Sequence, residues 1–133
     1  MPMTFEYERG ATRCTIRYSG EIARSDLTGG IRAQVESGAW TCETVIDTLE
    51  ATGILTGYAD ATAVTHTIAR AVSDHDLPPR GPIVIIVKEA NSAIHGMARL
   101  YQATTAHDAR LRVEIVFSHT AVEAAFLRLK GSP

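Results

Sequence analysis

The chain has 133 residues, a length that suits one domain with a hydrophobic core built without disulfides or metal. Hydrophobic residues make up 45% and charged residues 21%, as in ordinary soluble globular proteins. The net charge of −2 argues against a nucleic-acid partner, because such proteins usually carry an excess of basic residues. The N-terminus has no targeting signal and no apolar run is long enough for a membrane span, so we expect a cytoplasmic protein with no stable membrane association.

Two short strands open the predicted fold, at residues 4–8 and 13–18. Aromatic and β-branched residues alternate with polar residues in both, which predicts one buried face for each strand. Gly10 lies between them, so the two strands are expected to form an antiparallel hairpin. Gly20 is expected to end the second strand.

The middle of the chain predicts a helix, a strand and a second helix. Ser25 or Asp26 is the expected cap of the first helix. Residues 40–49 read as the third strand and residues 50–57 as a polar loop, after which Asp60 is the expected cap of the second helix. The apolar residues of the second helix recur at helical spacing and predict its buried side, which comprises Ala61, Val64, Ile68 and Val72.

Three prolines and a glycine in residues 74–82 end the second helix and lead into a buried strand at residues 83–87. Asn91 or Ser92 is the expected cap of the third helix. Gly96 lies inside that helix without a capping role, which predicts the close approach of another backbone or of a ligand.

A fifth strand at residues 112–117 and a last helix at residues 120–129 complete the pattern. Thr120 and Glu123 have the spacing of a capping box at the start of that helix. The element order β-β-α-β-α-β-α-β-α predicts an α/β fold in residues 1–133, a single domain with one mixed sheet of about five strands backed by about four helices. The N-terminal hairpin is the antiparallel part, and the later strands are parallel.

Several segments carry a resemblance to a known family. The most distinctive reads Gly-Met-Ala-Arg-Leu-Tyr-Gln at residues 96–102, and the others are residues 18–21, 45–47, 113–117 and 123–124. Together with the element order, these segments resemble the SpoIIAA-like (STAS-type) proteins, in particular the stand-alone bacterial group of STAS or CRAL-TRIO-like domains. The resemblance implies a small sheet backed by helices that serves as a regulatory or ligand-sensing module.

In the antagonist branch of that family, the resemblance implies a phosphorylated serine or threonine at the start of the second helix, within a pattern close to Asp-Ser-Ser-Gly. Residues 56–62 read Thr-Gly-Tyr-Ala-Asp-Ala-Thr here, so this pattern is absent. A phosphorylation switch at another position stays open, and the candidates are Thr48, Thr52, Thr56 and Thr62.

Ligands of open α/β sheets tend to bind beyond the carboxyl ends of the parallel strands. The polar residues expected at those ends form the predicted rim, which comprises Asp47, Thr48, Asn91, Ser92 and His119. The structural alternative is that these residues cap helices or face solvent. A small hydrolase that uses Ser92 and His119, with Asp47 as the third group, is a further alternative, although the chain has no Gly-x-Ser-x-Gly elbow.

If the protein carries or senses a lipid-like molecule, Met97, Leu100 and Tyr101 are expected to line an apolar pocket beside the third helix, with the Tyr101 hydroxyl at its mouth. The structural alternative is that these side chains only pack the core. Cys14 and Cys42 lie in predicted strands without a CxxC pair, and no histidine pair has metal-ligand spacing. We therefore expect no catalytic residue, no metal and no cofactor.

These patterns favour a non-enzymatic regulatory or interaction module that binds a protein partner or a small ligand. The alternative is a carrier or sensor of a small apolar or lipid-like molecule, held between the third helix and the sheet. A homodimer through the N-terminal edge strand or a helix face is also expected, because open sheet edges invite pairing.

Overall fold

The structure, a computed structural model, describes residues 3–8, 10–54, 58–105 and 112–131. Five strands form one sheet in sequential order: β1 (Met3–Glu6), β2 (Arg13–Ile22), β3 (Glu43–Ile54), β4 (Ile83–Ile86) and β5 (Val113–Val116). β1 pairs antiparallel with β2, and every other neighbouring pair is parallel. The predicted α/β class, with an N-terminal antiparallel hairpin followed by parallel strands, is confirmed.

Four α-helices connect or follow the strands: α1 (Arg24–Glu36), α2 (Tyr58–His75), α3 (Ala93–Thr105) and α4 (Val122–Gly131). Ser92 caps α3 as predicted, since its hydroxyl accepts the backbone N–H of His95 at 3.1 Å. The cap predicted for α1 at Ser25 or Asp26 is wrong, because the helix begins at Arg24 and both residues lie inside it. The Asp26 carboxylate lies in its first turn and accepts the Ala23 N–H at 2.8 Å. The side chains of Asp60 and Ala61 lie outside the described part of the chain.

β2 and β3 are longer than predicted. β3 spans Glu43–Ile54 instead of residues 40–49, so the loop expected at 50–57 is wrong as far as Ile54, and residues 55–57 lie outside the described chain. β2 likewise continues through Gly20, which has a φ of +64° beside a register shift between the two strands. A bulge of this kind accommodates the glycine without ending the pairing. The two strands therefore extend together beyond the ends of β4 and β5.

The capping box predicted for the last helix does not form. Residues His119–Ala121 make a 3₁₀ turn, and α4 begins one residue before Glu123. The Thr120 hydroxyl pairs with that of Ser118 at 2.9 Å, and Glu123 forms an ion pair with Arg13. A tertiary ion pair has thus replaced the local hydrogen bond that the spacing suggested.

Both faces of the sheet centre are covered. Val84 and Ile86 of β4 pack toward α4, whereas Ile83 and Ile85 pack toward α3. α1 and α2 cover the same face as α3, over β2 and β3. Helices on both faces explain why β4 is a continuous apolar run rather than an alternating one.

Charged side chains connect α4 to the amino-terminal ends of β2 and β3. Arg13 donates to Glu43 through Nη2 at 2.9 Å, and its guanidinium also pairs with Glu123. Lys130 reaches Glu43 from the last turn of α4. Burial by itself would raise the pKa of Glu43, but the hydrogen bonds and positive charges of Lys130 and Arg13 outweigh burial and lower that pKa.

Replacing Glu43 with glutamine should make the free energy of unfolding depend less steeply on pH at acidic pH. A carboxyl whose pKa is lower in the folded state stabilises the fold above its unfolded pKa, and this contribution disappears as the pH falls through the folded value. Between about pH 5 and pH 3, the free energy of unfolding should fall less steeply in Glu43→Gln than in the wild type. Urea unfolding across this range measures the slopes. Glu36→Gln, at an exposed position of α1, is the matched control and should keep the wild-type slope.

Candidate functional site

A cavity of about 100 Å³ lies between the sheet and helices α1, α2 and α3, and it is partly open to solvent. Aliphatic side chains of β2, β3 and β4 form its floor, among them Ile16, Ile46 and Ile85. Ile31 of α1 and Ile68 of α2 contribute to the opposite wall. Protein interiors rarely leave voids larger than a water molecule, so a cavity of this size is a candidate binding site.

Two of the three residues named for the possible apolar pocket line this cavity. Met97 and Tyr101 of α3 line it, and Leu100 is not part of its wall. The close approach of another backbone predicted at Gly96 is wrong, because an added Cβ would meet nothing within 4 Å there. The glycines that do have close neighbours are Gly30, against the Tyr18 hydroxyl, and Gly81, against the carbonyls of Thr41 and Cys42.

Among the residues that the structure describes, one charged side chain lines the cavity. Arg80 is only 8% exposed, although it belongs to the segment between α2 and β4. Its Nη1 donates to the Tyr101 hydroxyl at 3.0 Å and its Nη2 donates to the Gln34 side-chain oxygen. The guanidinium carbon lies 4.8 Å from the centre of the Trp40 ring. These contacts hold the guanidinium in one place with neutral groups only.

Gln34 extends this contact into a buried polar chain. Its amide nitrogen donates to the Ala39 carbonyl at 3.0 Å and to the Thr44 hydroxyl at 2.8 Å. The Thr44 hydroxyl in turn lies 3.7 Å from the Cys14 sulfur. Because both ends of the Gln34 amide are occupied, its oxygen is oriented toward Arg80. The chain therefore connects the guanidinium to the amino-terminal ends of β2 and β3.

Tyr18 supplies a further polar group on the cavity wall. Its side chain is 3% exposed, and burial strongly raises the pKa of its hydroxyl, an effect that the positive charge of Arg80 only partly opposes. The hydroxyl therefore stays protonated at neutral pH and remains a hydrogen-bond donor.

The predicted rim does not form one surface. Asp47 and Thr48 are consecutive residues of β3, so their side chains point to opposite faces of the sheet. Thr48 lines the cavity and donates its hydroxyl to the Ile86 carbonyl at 2.6 Å. It is 4% exposed, so a kinase could not reach it in the folded protein. Thr56, another candidate for phosphorylation, lies outside the described residues.

Asp47 and His119 do come together, on the face that carries α4. Asp47 is 3% exposed and its Oδ2 lies 3.2 Å from His119 Nε2 and 3.3 Å from Arg17 Nε. Its Oδ1 accepts the Leu49 N–H at 3.0 Å. Both carboxylate oxygens are therefore engaged, and Asp47 serves to connect β2 and β3 with the turn before α4.

Asn91 and Ser92 lie in the turn that begins α3. Asn91 has a φ of +62°, and its backbone N–H donates to His95 Nδ1 at 2.8 Å. The Ser92 hydroxyl donates to the Glu89 carbonyl at 2.8 Å while it caps the helix. The described residues include both Ser92 and His119, and the structure places no hydrogen bond between them. The hydrogen bonds of Ser92 are those of a helix cap.

Arg80, Gln34 and Trp40 are the residues of this site that sequence reasoning missed. Arg80 lies between prolines and glycine in a segment that reads as a surface connection. Its position in the sequence could have indicated burial, because only Gly81 and Pro82 separate Arg80 from the buried strand β4. Cys14 lies in β2 as predicted, whereas Cys42 precedes β3, and both are free thiols.

Other kinds of site are not found in the described part of the chain. Residues 3–8, 10–54, 58–105 and 112–131 contain no group of three or more side chains that could hold a metal ion. None of the helices in these ranges combines the length and apolar character needed to cross a membrane.

Comparison with known proteins identifies the fold class. The anti-sigma factor antagonist SpoIIAA, in its unphosphorylated form, is 13% identical with a TM-score of 0.52, over 97% of this chain and 98% of that one. An uncharacterised DUF3478-family protein of SpoIIAA-like fold from Shewanella loihica PV-4 is 10% identical with a TM-score of 0.53, over 93% of this chain and 91% of that one. No protein-family profile and no curated protein sequence matches the chain. The chain therefore has the SpoIIAA-like, or STAS-like, fold.

Proposed function

We propose that this protein binds a small amphipathic molecule between its sheet and helices α1–α3, as a carrier or sensor. The cavity of about 100 Å³ is the observation that carries the proposal. An apolar cavity of about 150 Å³ is known to admit benzene. The cavity here is smaller, so it suits a short alkyl chain. The opening to solvent lets the remainder of a longer molecule extend outward.

The wall of the cavity is almost entirely apolar, so the part of a ligand that it buries should be apolar. Aliphatic side chains cover most of the surface, and the polar groups are few: Tyr18, Thr48, Arg80 and Tyr101. The Thr48 hydroxyl is already engaged with Ile86. Ligand sites commonly combine an apolar wall with a small number of placed polar groups that orient the ligand.

Filling the cavity should weaken ligand binding without unfolding the protein. Ala98 lines the cavity, and Ala98→Leu places an isopropyl group into it. We expect the dissociation constant for hexanol, a neutral probe, to rise at least about tenfold, because overpacked positions have little room to adjust. NMR titration measures the affinity. Native mass spectrometry of protein purified from cells should also show a retained small molecule in the wild type only.

Ala103→Leu is the matched control, because Ala103 lies at an exposed position of the same helix. Its affinity for hexanol should equal that of the wild type. If wild-type protein shows no binding of hexanol, or if Ala98→Leu binds it as tightly as Ala103→Leu does, the cavity is not a ligand site.

We propose protein interaction as a second function, at the surface around the end of β5. Phe117 follows β5 and is 47% exposed, with its ring 5.3 Å from that of His95. Exposed aromatic side chains are enriched at protein interfaces. The sequence leaves the protein partner unidentified and predicts a homodimer through the N-terminal edge strand or a helix face; at the surface around Phe117 we propose a second copy of the chain as the partner. Sedimentation equilibrium of the wild type and Phe117→Ser tests this: a wild-type dimer that dissociates in the variant supports it, and a wild-type monomer contradicts it.

A further inference from the structure

The Arg80 guanidinium is a buried positive charge that has no counter-charge within the described ranges of the chain. Arginine keeps its charge at every physiological pH, and buried charges in proteins are normally paired. Here the acceptors are the uncharged Tyr101 hydroxyl and Gln34 amide oxygen. Among residues 3–8, 10–54, 58–105 and 112–131, no carboxylate forms an ion pair with it, and its buried Nε–H has no acceptor. A buried cation in this state has donor capacity that the protein leaves unused.

Arg80 also lines the apolar cavity, and it is the one charged residue among the described residues of the cavity wall. We propose that the ligand is an amphipathic monocarboxylate whose carboxylate pairs with Arg80 and whose alkyl chain occupies the cavity. This proposal rests on the proposed function and adds the chemical class of the ligand. A monocarboxylate carries one charge, which matches the single guanidinium, whereas a phosphate monoester would bring a second charge without a partner.

The surroundings of Arg80 suit this role. Contacts to Gln34 and Tyr101 and the ring of Trp40 fix the plane of the guanidinium before a ligand arrives, which reduces the entropy lost on binding. Gln34 is fully buried and is itself held by Ala39 and Thr44. The protonated Tyr18 hydroxyl is a second donor on the same wall.

Three probes with the same alkyl chain test the proposal: hexanoate, hexanol and hexylamine. The wild type should bind hexanoate about tenfold or more tightly than hexanol, as a charge-assisted hydrogen bond predicts, and hexylamine most weakly. In Arg80→Met the ratio of hexanoate affinity to hexanol affinity should fall to about one, because the charge-assisted contact is lost. Arg80→Lys keeps the charge without the planar fork and should retain part of the preference.

Arg70→Met is the matched control, at an exposed position of α2, and should keep the wild-type preference. Trp40 is the only tryptophan in the chain and lies against the guanidinium, so its fluorescence reports binding near Arg80. If Arg80→Met does not fold, the three probes on the wild type and Arg80→Lys decide the question. Equal affinity of the wild type for hexanoate and hexanol would contradict the proposal that the ligand is a monocarboxylate. It would not contradict the proposal that the cavity binds a ligand. Failure of all three probes to bind would overturn the proposed function itself.

Discussion

Phe126→Ala should lower the free energy of unfolding by about 3–5 kcal/mol, the range measured for deleting a fully buried aromatic side chain. Phe126 is 1% exposed on α4 and packs with Val45, Val84 and Val116 on one face of the sheet. The Arg13 guanidinium also lies over its ring, 4.6 Å from the centre. The alanine would leave a cavity beneath α4 and remove this cation–π contact. Domains of this kind are stable by about 5–15 kcal/mol in total, so the loss is a large share.

Urea unfolding followed by Trp40 fluorescence measures the change, with the slope of the transition compared between variants. Leu127→Ala is the control on the neighbouring residue, which is 70% exposed. It should alter the free energy of unfolding by no more than about 0.5 kcal/mol. A loss below about 1 kcal/mol in Phe126→Ala would contradict the packing of α4 against the sheet.

Gly81→Ala should destabilise the protein by about 2–3 kcal/mol, because the added methyl group has no space. A Cβ at this position would collide with the carbonyl oxygens of Thr41 and Cys42, both of which belong to the backbone. The Gly81 N–H also donates to the Trp40 carbonyl at 3.2 Å, so the two segments cannot separate without losing this bond. Since Arg80 is the preceding residue, we also expect the variant to displace the guanidinium and weaken hexanoate binding.

Gly96→Ala is the matched control. It should raise the free energy of unfolding, whereas Gly81→Ala should lower it. Gly96 is exposed within α3 and an added Cβ would meet nothing within 4 Å, so alanine should stabilise the helix by about 0.5–1 kcal/mol. Thermal unfolding of the two variants beside the wild type compares them directly. A Gly81→Ala variant as stable as Gly96→Ala would show that the two segments are not held in close contact.

The elements with strong local patterns were predictable. The apolar run at residues 83–87 and the cap at Ser92 both depend on near neighbours in the chain, and the structure contains both. The extension of β3 to Ile54 was not predictable in the same way, because polar residues there gain their strand conformation by pairing with β2. Glu123 was assigned to a local cap for the same reason, since its partner Arg13 is distant in sequence.

The same distinction between local pattern and distant contacts applies to the candidate site. The sequence by itself determined the α/β class, the antiparallel hairpin and the placement of Met97 and Tyr101 beside the sheet, because hydrophobic periodicity decides which side of an element is buried. Only the tertiary structure decided that Arg80 is buried against Gln34, Trp40 and Tyr101. Burial of a charged side chain depends on segments far apart in the chain, and local pattern carries no information about how they meet.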